Sequence, residues 1–141
     1  MKRPMGATAL LTAAAVLTLA WPAAAQAPIK IGASMSLTGT YAKPGTYQKE
    51  GYELCAQEAN DKGGVLGRKV EFVFYDDQSM PPTGVRLYEK LITEDKVDVV
   101  MGPYSSAITE AVANVTEKYK KVMVAPLAAT TSIFKKGRKD A

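Results

Sequence analysis

The sequence predicts an α/β fold on a doubly wound parallel sheet, and three observations carry that expectation. Four short β-branched or aromatic runs alternate with three longer stretches of helical periodicity. A helix between two such strands is the crossover that parallel pairing requires. Gly or Pro punctuates the joins, at Gly63-Gly64, Pro81-Pro82, Gly102-Pro103 and Pro126.

The first strand is expected over 29–35, where Ile29, Ile31 and Ala33 alternate with Lys30, Gly32 and Ser34. A Gly/Thr/Pro-rich loop is expected over 37–45. Tyr47, Gly51, Leu54, Cys55 and Ala59 then share one face of a helix. Gly63-Gly64 ends it, because Gly tolerates the left-handed conformation there. Residues 69–75 are β-branched and aromatic, hence a second strand, followed by a turn over 76–82. Val85, Leu87, Tyr88, Leu91 and Ile92 mark a second helix over 83–94. A short buried strand is expected over 97–101. A third helix follows on Ile108, Ala111, Val112, Val115 and Tyr119, and a fourth strand over 122–125.

The first 27 residues read differently. Met1-Lys2-Arg3 is a basic start, residues 7–20 are apolar or small without charge, and Ala25-Gln26-Ala27 is an A-x-A site. That describes an export leader, with cleavage expected after Ala27. A membrane anchor is the alternative, but the run is shorter than the roughly 20 residues a bilayer needs, and Pro22 ends it. The mature chain, 28–141, is expected to be soluble and exported, in a bacterial periplasm. Its four-stranded pattern and polar tail read as the front part of a longer protein.

Composition excludes much. Among 141 residues there is one Cys and no His. An internal disulfide, a Cys/His zinc site and any His-based triad are therefore out of reach. The net charge of +4 invites a nucleic-acid reading until the charges are located. Lys2 and Arg3 belong to the leader, and Lys135, Lys136, Arg138 and Lys139 crowd the last seven residues with Asp140. The body, 28–134, keeps 12 basic against 13 acidic residues, so nucleic acid is not an expected partner.

Ligands of open parallel sheets bind beyond the carboxyl ends of the strands. With strands one, three and four adjacent, three loops converge there. Ser105 or Ser106 opens the third helix, where free N–H groups and the helix dipole favour a small carboxylate without a Lys or Arg. Plain helix capping is the competing reading. Carbonyls near Leu127 and the hydroxyls of Thr130 or Thr131 suit an ammonium group, though an ordinary loop has the same spacing. Asp76-Asp77 is compatible with a metal or phosphoryl site, but a solvated Asx turn is commoner. Cys55 reads as a small core residue. Lys135 to Lys139 reads as a solvated connection. Gly39, Gly45 and Gly51 match no nucleotide motif, so no cofactor and no metal is expected.

Taken together, several segments resemble one family. They are Ile29-Lys30-Ile31-Gly32-Ala33-Ser34-Met35-Ser36-Leu37-Thr38-Gly39, Glu58-Ala59-Asn60-Asp61-Lys62-Gly63-Gly64-Val65-Leu66-Gly67, Tyr75-Asp76-Asp77, Gly102-Pro103-Tyr104-Ser105-Ser106 and Val124-Ala125-Pro126-Leu127-Ala128-Ala129. They are similar to the periplasmic substrate-binding proteins of branched-chain and hydrophobic amino-acid ABC transporters, the Leu/Ile/Val-binding type. The resemblance implies a two-lobed clamshell of the type I periplasmic binding fold. Residues 28–141 would be its Rossmann-like first lobe, still incomplete, with the second lobe absent. It implies capture of an amino acid or similar carboxylate and delivery to a permease in the inner membrane. Ser105 and Ser106 would hold the carboxylate, and the backbone at Leu127, Ala128, Ala129 and Thr130 the ammonium. The Leu/Ile/Val type often has Thr where Ala129 falls; here Thr130 is one place later. Some members carry a disulfide where Ser79 and Ser105 stand here. A receptor ectodomain on the same scaffold is the alternative, and a secreted α/β enzyme a weaker one, because no nucleophile with a base is visible.

Overall fold

The computed structural model describes residues 26–135. The elements run β1 (Ile29–Met35), α1 (Ala42–Asp61), β2 (Val70–Asp76), α2 (Pro81–Thr93), β3 (Val99–Met101), α3 (Ser106–Tyr119), β4 (Met123–Val124) and a short α4 (Ser132–Lys135). The four strands form one parallel sheet in the order β2-β1-β3-β4. The expected alternation and the adjacency of strands one, three and four are both found. The expected leader, apart from Gln26 and Ala27, and the tail beyond Lys135 lie outside the described residues.

Strand order decides which face each helix covers. The chain moves one way from β1 to β2 and the other way from β2 to β3 and β4. With right-handed crossovers, α1 lies on one face and α2 and α3 on the other. The core fills the α2/α3 side, with Tyr88, Leu91, Val97, Val100, Ile108 and Val112 among its buried members. Gly84 permits the close helix contact, since a Cβ there would meet Ile108 Cγ2 at 2.8 Å. Tyr88 is fully buried and its hydroxyl donates to the Met101 carbonyl. Burial first, and then nearby Tyr52, push that hydroxyl well above 10.0, so it remains a neutral donor.

Two helices begin earlier than the sequence suggests. Pro44 lies in the first turn of α1, and Pro81 and Pro82 open α2. Proline reads as loop in a sequence, but the first turn of a helix has no partner for its N–H groups, so losing them there costs little. The Gly63-Gly64 stop is as expected: both have positive φ, and Gly64 N–H donates to Ala59 O at 2.8 Å.

The orientation of α1 corrects the sequence reading. Its buried residues are Gly45 and Gln48. Tyr47 and Leu54, expected on the buried face, are 61% and 57% exposed. Cys55, expected in the core, is exposed too. Two close approaches turn the helix this way. Gly45 packs on the backbone of β1's end, where a Cβ would lie 2.1 Å from the Ser36 carbonyl oxygen. Gln48 Nε2 donates to the Gly102 carbonyl at 3.0 Å. The apolar residues of α1 then share the α1 side of the sheet with exposed Val122 and Val124, which point opposite to buried Met123.

Candidate functional site

The carboxyl edge of the sheet carries a cleft of about 340 Å³ lined by Tyr41, Tyr104, Ser105, Ser106, Ala107, Leu127 and Ala129. Its walls come from the loops after β1, β3 and β4, where the strand order reverses.

The wall after β3 is the first turn of α3. Ser105 occupies the N-cap position with extended backbone, φ −78° and ψ 133°, and its side chain makes no capping bond. Its carbonyl accepts the first helical bond, from Thr109 N–H at 2.8 Å, and a second from the Thr109 hydroxyl at 2.9 Å. Capping by a serine hydroxyl, one of the two sequence readings, therefore does not occur. The N–H groups of the first turn have no acceptor inside the helix, and Ser105, Ser106 and Ala107 of that turn, at the positive end of the dipole, line the cleft. Ser106 Oγ accepts the Ala129 N–H at 3.0 Å and ties this wall to the one after β4. Its own hydrogen stays available for donation. Among the described residues lining the cleft there is no Asp or Glu to repel an anion.

The structure brings together Ser105, Ser106, Leu127 and Ala129 along the cleft, while the side chains of the two other expected residues go elsewhere. Ala128 packs against the core. Thr130 turns away: its hydroxyl lies 3.0 Å from Ser132 Oγ and accepts the Ser132 N–H at 3.3 Å, opening α4. Ser132 in turn donates to Glu110 Oε2 at 3.2 Å. A threonine one place after Ala129 thus serves the helix start and not the cleft.

Tyr41 and Tyr104 were not singled out from the sequence. Their rings stand 5.8 Å apart at 51°, a tilted aromatic pair over the cleft. The only signal was the Tyr in each loop, too common to mean anything before the topology joins the two loops.

Asp76 and Asp77 hold the Tyr41 wall. The expectation of a solvated turn fails for Asp77, which is fully buried. Its carboxylate accepts from Ser34 Oγ at 2.8 Å, Ser36 Oγ at 2.7 Å and Ser79 N–H at 3.0 Å. Ser79 Oγ donates to Thr38 O and accepts the Tyr41 N–H. Asp76 accepts from the Leu37, Thr38 and Gln78 N–H groups and the Thr38 hydroxyl. Partial burial pushes the Asp76 carboxyl up, but these bonds, the Thr38 hydroxyl foremost, outweigh it and hold it below 3.8. The Asx bonds are present, from Gln78 to Asp76 and from Ser79 to Asp77. Among the described residues no group of three or more Cys, Asp or Glu is placed to hold a metal.

A family model described as periplasmic binding protein matches residues 28–138. The chain belongs to the periplasmic binding protein family. A Leu/Ile/Val-binding protein of Rhizobium johnstonii is 36% identical over 127 residues, covering 90% of this chain and 34% of that protein. The crystal structure of LivJ from Streptococcus pneumoniae, a branched-chain amino acid transporter substrate-binding protein in complex with isoleucine, matches with a TM-score of 0.75 and 31% identity. It covers 79% of this chain and 32% of that one. A solute-binding protein of an ABC transporter from R. palustris, in complex with benzoate, matches with a TM-score of 0.65 and 33% identity over 72% of this chain and 28% of its own. The chain spans about a third of the length of the relatives it matches. This periplasmic binding protein family is one of solute-binding proteins, and the fold class read from the sequence is that of its type I members. No helix among the described residues is long and apolar enough to cross a membrane.

Proposed function

We propose that this chain supplies one wall of an extracytoplasmic binding cleft, which captures a small carboxylate for an ABC importer. A leader over the first residues carries it to the periplasm, and a permease in the inner membrane is the partner. The reading includes no catalytic step: the cleft offers donors and two phenol rings, with no base beside a nucleophile.

The observation that carries this is the first turn of α3. Its N–H groups are left open, its cap serine does not close them, and Ser106 bridges to Ala129 with a hydrogen to spare. A carboxylate is the group that such a site accepts without a cation. The ligand class most favoured is an amino acid, as in the isoleucine complex above. Its ammonium would be met by carbonyls of the loop at Leu127 and Ala129. The Tyr41–Tyr104 pair favours a second reading, an aromatic carboxylate, as in the benzoate complex. A second lobe, as the family resemblance implies, would close the open side of the cleft.

Calorimetry of the complete gene product with branched-chain amino acids, other amino acids and benzoates tests this. A folded protein that binds none of them refutes the assignment. Binding of benzoates alone selects the aromatic reading. Ser106→Ala should weaken the true ligand about tenfold, the loss of one hydrogen bond to a charged group.

A further inference from the structure

The stretch ahead of β1 carries contacts that neither the sheet nor the cleft uses. Arg68 Nε donates to the carbonyl of Ala27 at 2.7 Å, and its terminal nitrogen donates to the carbonyl of Pro28 at 3.1 Å. The same guanidinium lies 3.8 Å from the Asp98 carboxylate. Ile29 N–H donates to Lys69 O at 2.7 Å. Among the described residues the hydrogen-bonded body therefore starts at Ala27, inside the A-x-A triplet 25–27 expected to end the leader.

Cutting after Ala27 is disfavoured on two independent grounds. The bond to be broken would be Ala27–Pro28, a tertiary amide whose nitrogen has no hydrogen and is locked in a ring. A peptidase that grips its substrate through backbone N–H groups loses one there, and the ring fills the space beside the scissile bond. The cut would also take away the carbonyl that Arg68 holds at the shorter distance. It would leave a secondary ammonium on Pro28, the residue whose own carbonyl faces the same guanidinium. The alanine run offers a second A-x-A triplet two residues earlier, Ala23-Ala24-Ala25, followed by an ordinary amide to Gln26.

We infer that the leader is removed after Ala25, that the mature chain begins at Gln26, and that this terminus closes to pyroglutamate. In the closure the Gln26 α-nitrogen bonds to its own Cδ. The bond from Cδ to the side-chain nitrogen breaks, and that nitrogen leaves as ammonia with the proton the amine gives up. Gln26 and Ala27 are exposed, so the ring has room. Gln26 directly precedes the Ala27 whose carbonyl Arg68 holds and lines one pocket with Lys69, so closure removes an ammonium from a basic neighbourhood, and the lactam that replaces it is neutral. The inference rests on the reading of the first residues as an export leader.

The test expresses the chain from Met1 in a Gram-negative host and recovers it from the periplasmic fraction. Intact mass is measured on fresh protein, and the N-terminal peptide after cleavage at Lys and Arg. The expected peptide is 26–30, lighter than its composition by one ammonia and blocked to stepwise degradation from its N-terminus. A peptide 28–30 overturns the cleavage site. Peptide 26–30 at full mass keeps the site and overturns the cyclisation. A chain that keeps its first 25 residues overturns the leader reading, and this inference with it. In a second measurement, chains made to begin at Gln26 and at Pro28 are melted side by side. The shorter one should melt roughly a few degrees lower; equal melting overturns the role given to the Ala27 carbonyl.

Discussion

Replacing Asp77 by Ala should destabilise the protein more than any other single change on the binding edge. The carboxylate is fully buried and accepts three hydrogen bonds, from the hydroxyls of Ser34 in β1 and Ser36 just past its end, and from one backbone N–H in its own turn. Hydrogen bonds to a charged group contribute about 1.5–3 kcal/mol each. Two of the three donors are hydroxyls that can rotate toward other acceptors, so the sum is an upper bound. A net loss of about 3–5 kcal/mol is expected, in the range for breaking a buried charged group's contacts. That is a large share of the roughly 5–15 kcal/mol that holds a typical domain together. With an m-value of about 1–3 kcal/mol per molar urea, the midpoint should fall by roughly 2 M. Asp77→Asn is the control. It keeps the shape and one acceptor oxygen, and its amide can donate to Ser34, so a loss of about 1–2 kcal/mol is expected. A loss under about 1 kcal/mol for Ala, or equal losses for Ala and Asn, would refute the account of Asp77 as the anchor of the Tyr41 wall.

Four further outcomes follow from the structure. Gly45→Ala places a Cβ 2.1 Å from the Ser36 carbonyl and should cost about 2 kcal/mol or more as α1 is pushed off β1. Gly51→Ala meets nothing within 4 Å on the same helix and should gain about 0.5–1 kcal/mol; thermal melts of the two variants check both signs. Asp76 has a folded carboxyl held below 3.8, so its stabilisation is present above that value and is lost as pH falls through the lower folded one. Asp76→Asn should therefore lose stability at neutral pH and flatten the acid limb of a pH–stability curve; an unchanged limb would count against the Asp76 bonds. Cys55 is exposed, so a thiol reagent should label it in the folded protein at nearly the rate of an unfolded control, and slow labelling would restore the core reading.

How far the sequence could be read depended on the kind of signal. Strand 70–76 was legible because β-branched and aromatic side chains favour an extended backbone, and the α2 and α3 faces because burial on one side imposes a period on the side chains. The α3 opening at Ser105 and Ser106 was legible because a serine before an apolar run marks a helix start. The faces of α1 were not legible. Its apolar residues repeat at helical spacing, yet the side that meets the sheet is set by Gly45 and Gln48, whose partners are Ser36 and Gly102. Those partners lie in other elements, so no window along the chain contains the pair. Thr130 shows the same limit at the cleft: its place in the loop after the fourth strand put its hydroxyl among the candidate ligand groups, and its contact with Ser132 turned that hydroxyl to the start of α4.

By itself the sequence determined the parallel α/β class, the order of elements and the loops that share the binding edge. Periodicity, punctuation by Gly and Pro and the crossover rule are local or topological constraints, and they act on any chain with this pattern. Only the tertiary structure decided which atoms face the cleft. It paired Tyr41 with Tyr104, buried Asp77 under Ser34 and Ser36 at the end of β1, linked Ser106 to Ala129, and left Cys55 outside. Each of these depends on a contact between residues far apart in the chain, where close packing and hydrogen-bond satisfaction choose among side chains that composition alone treats as equal.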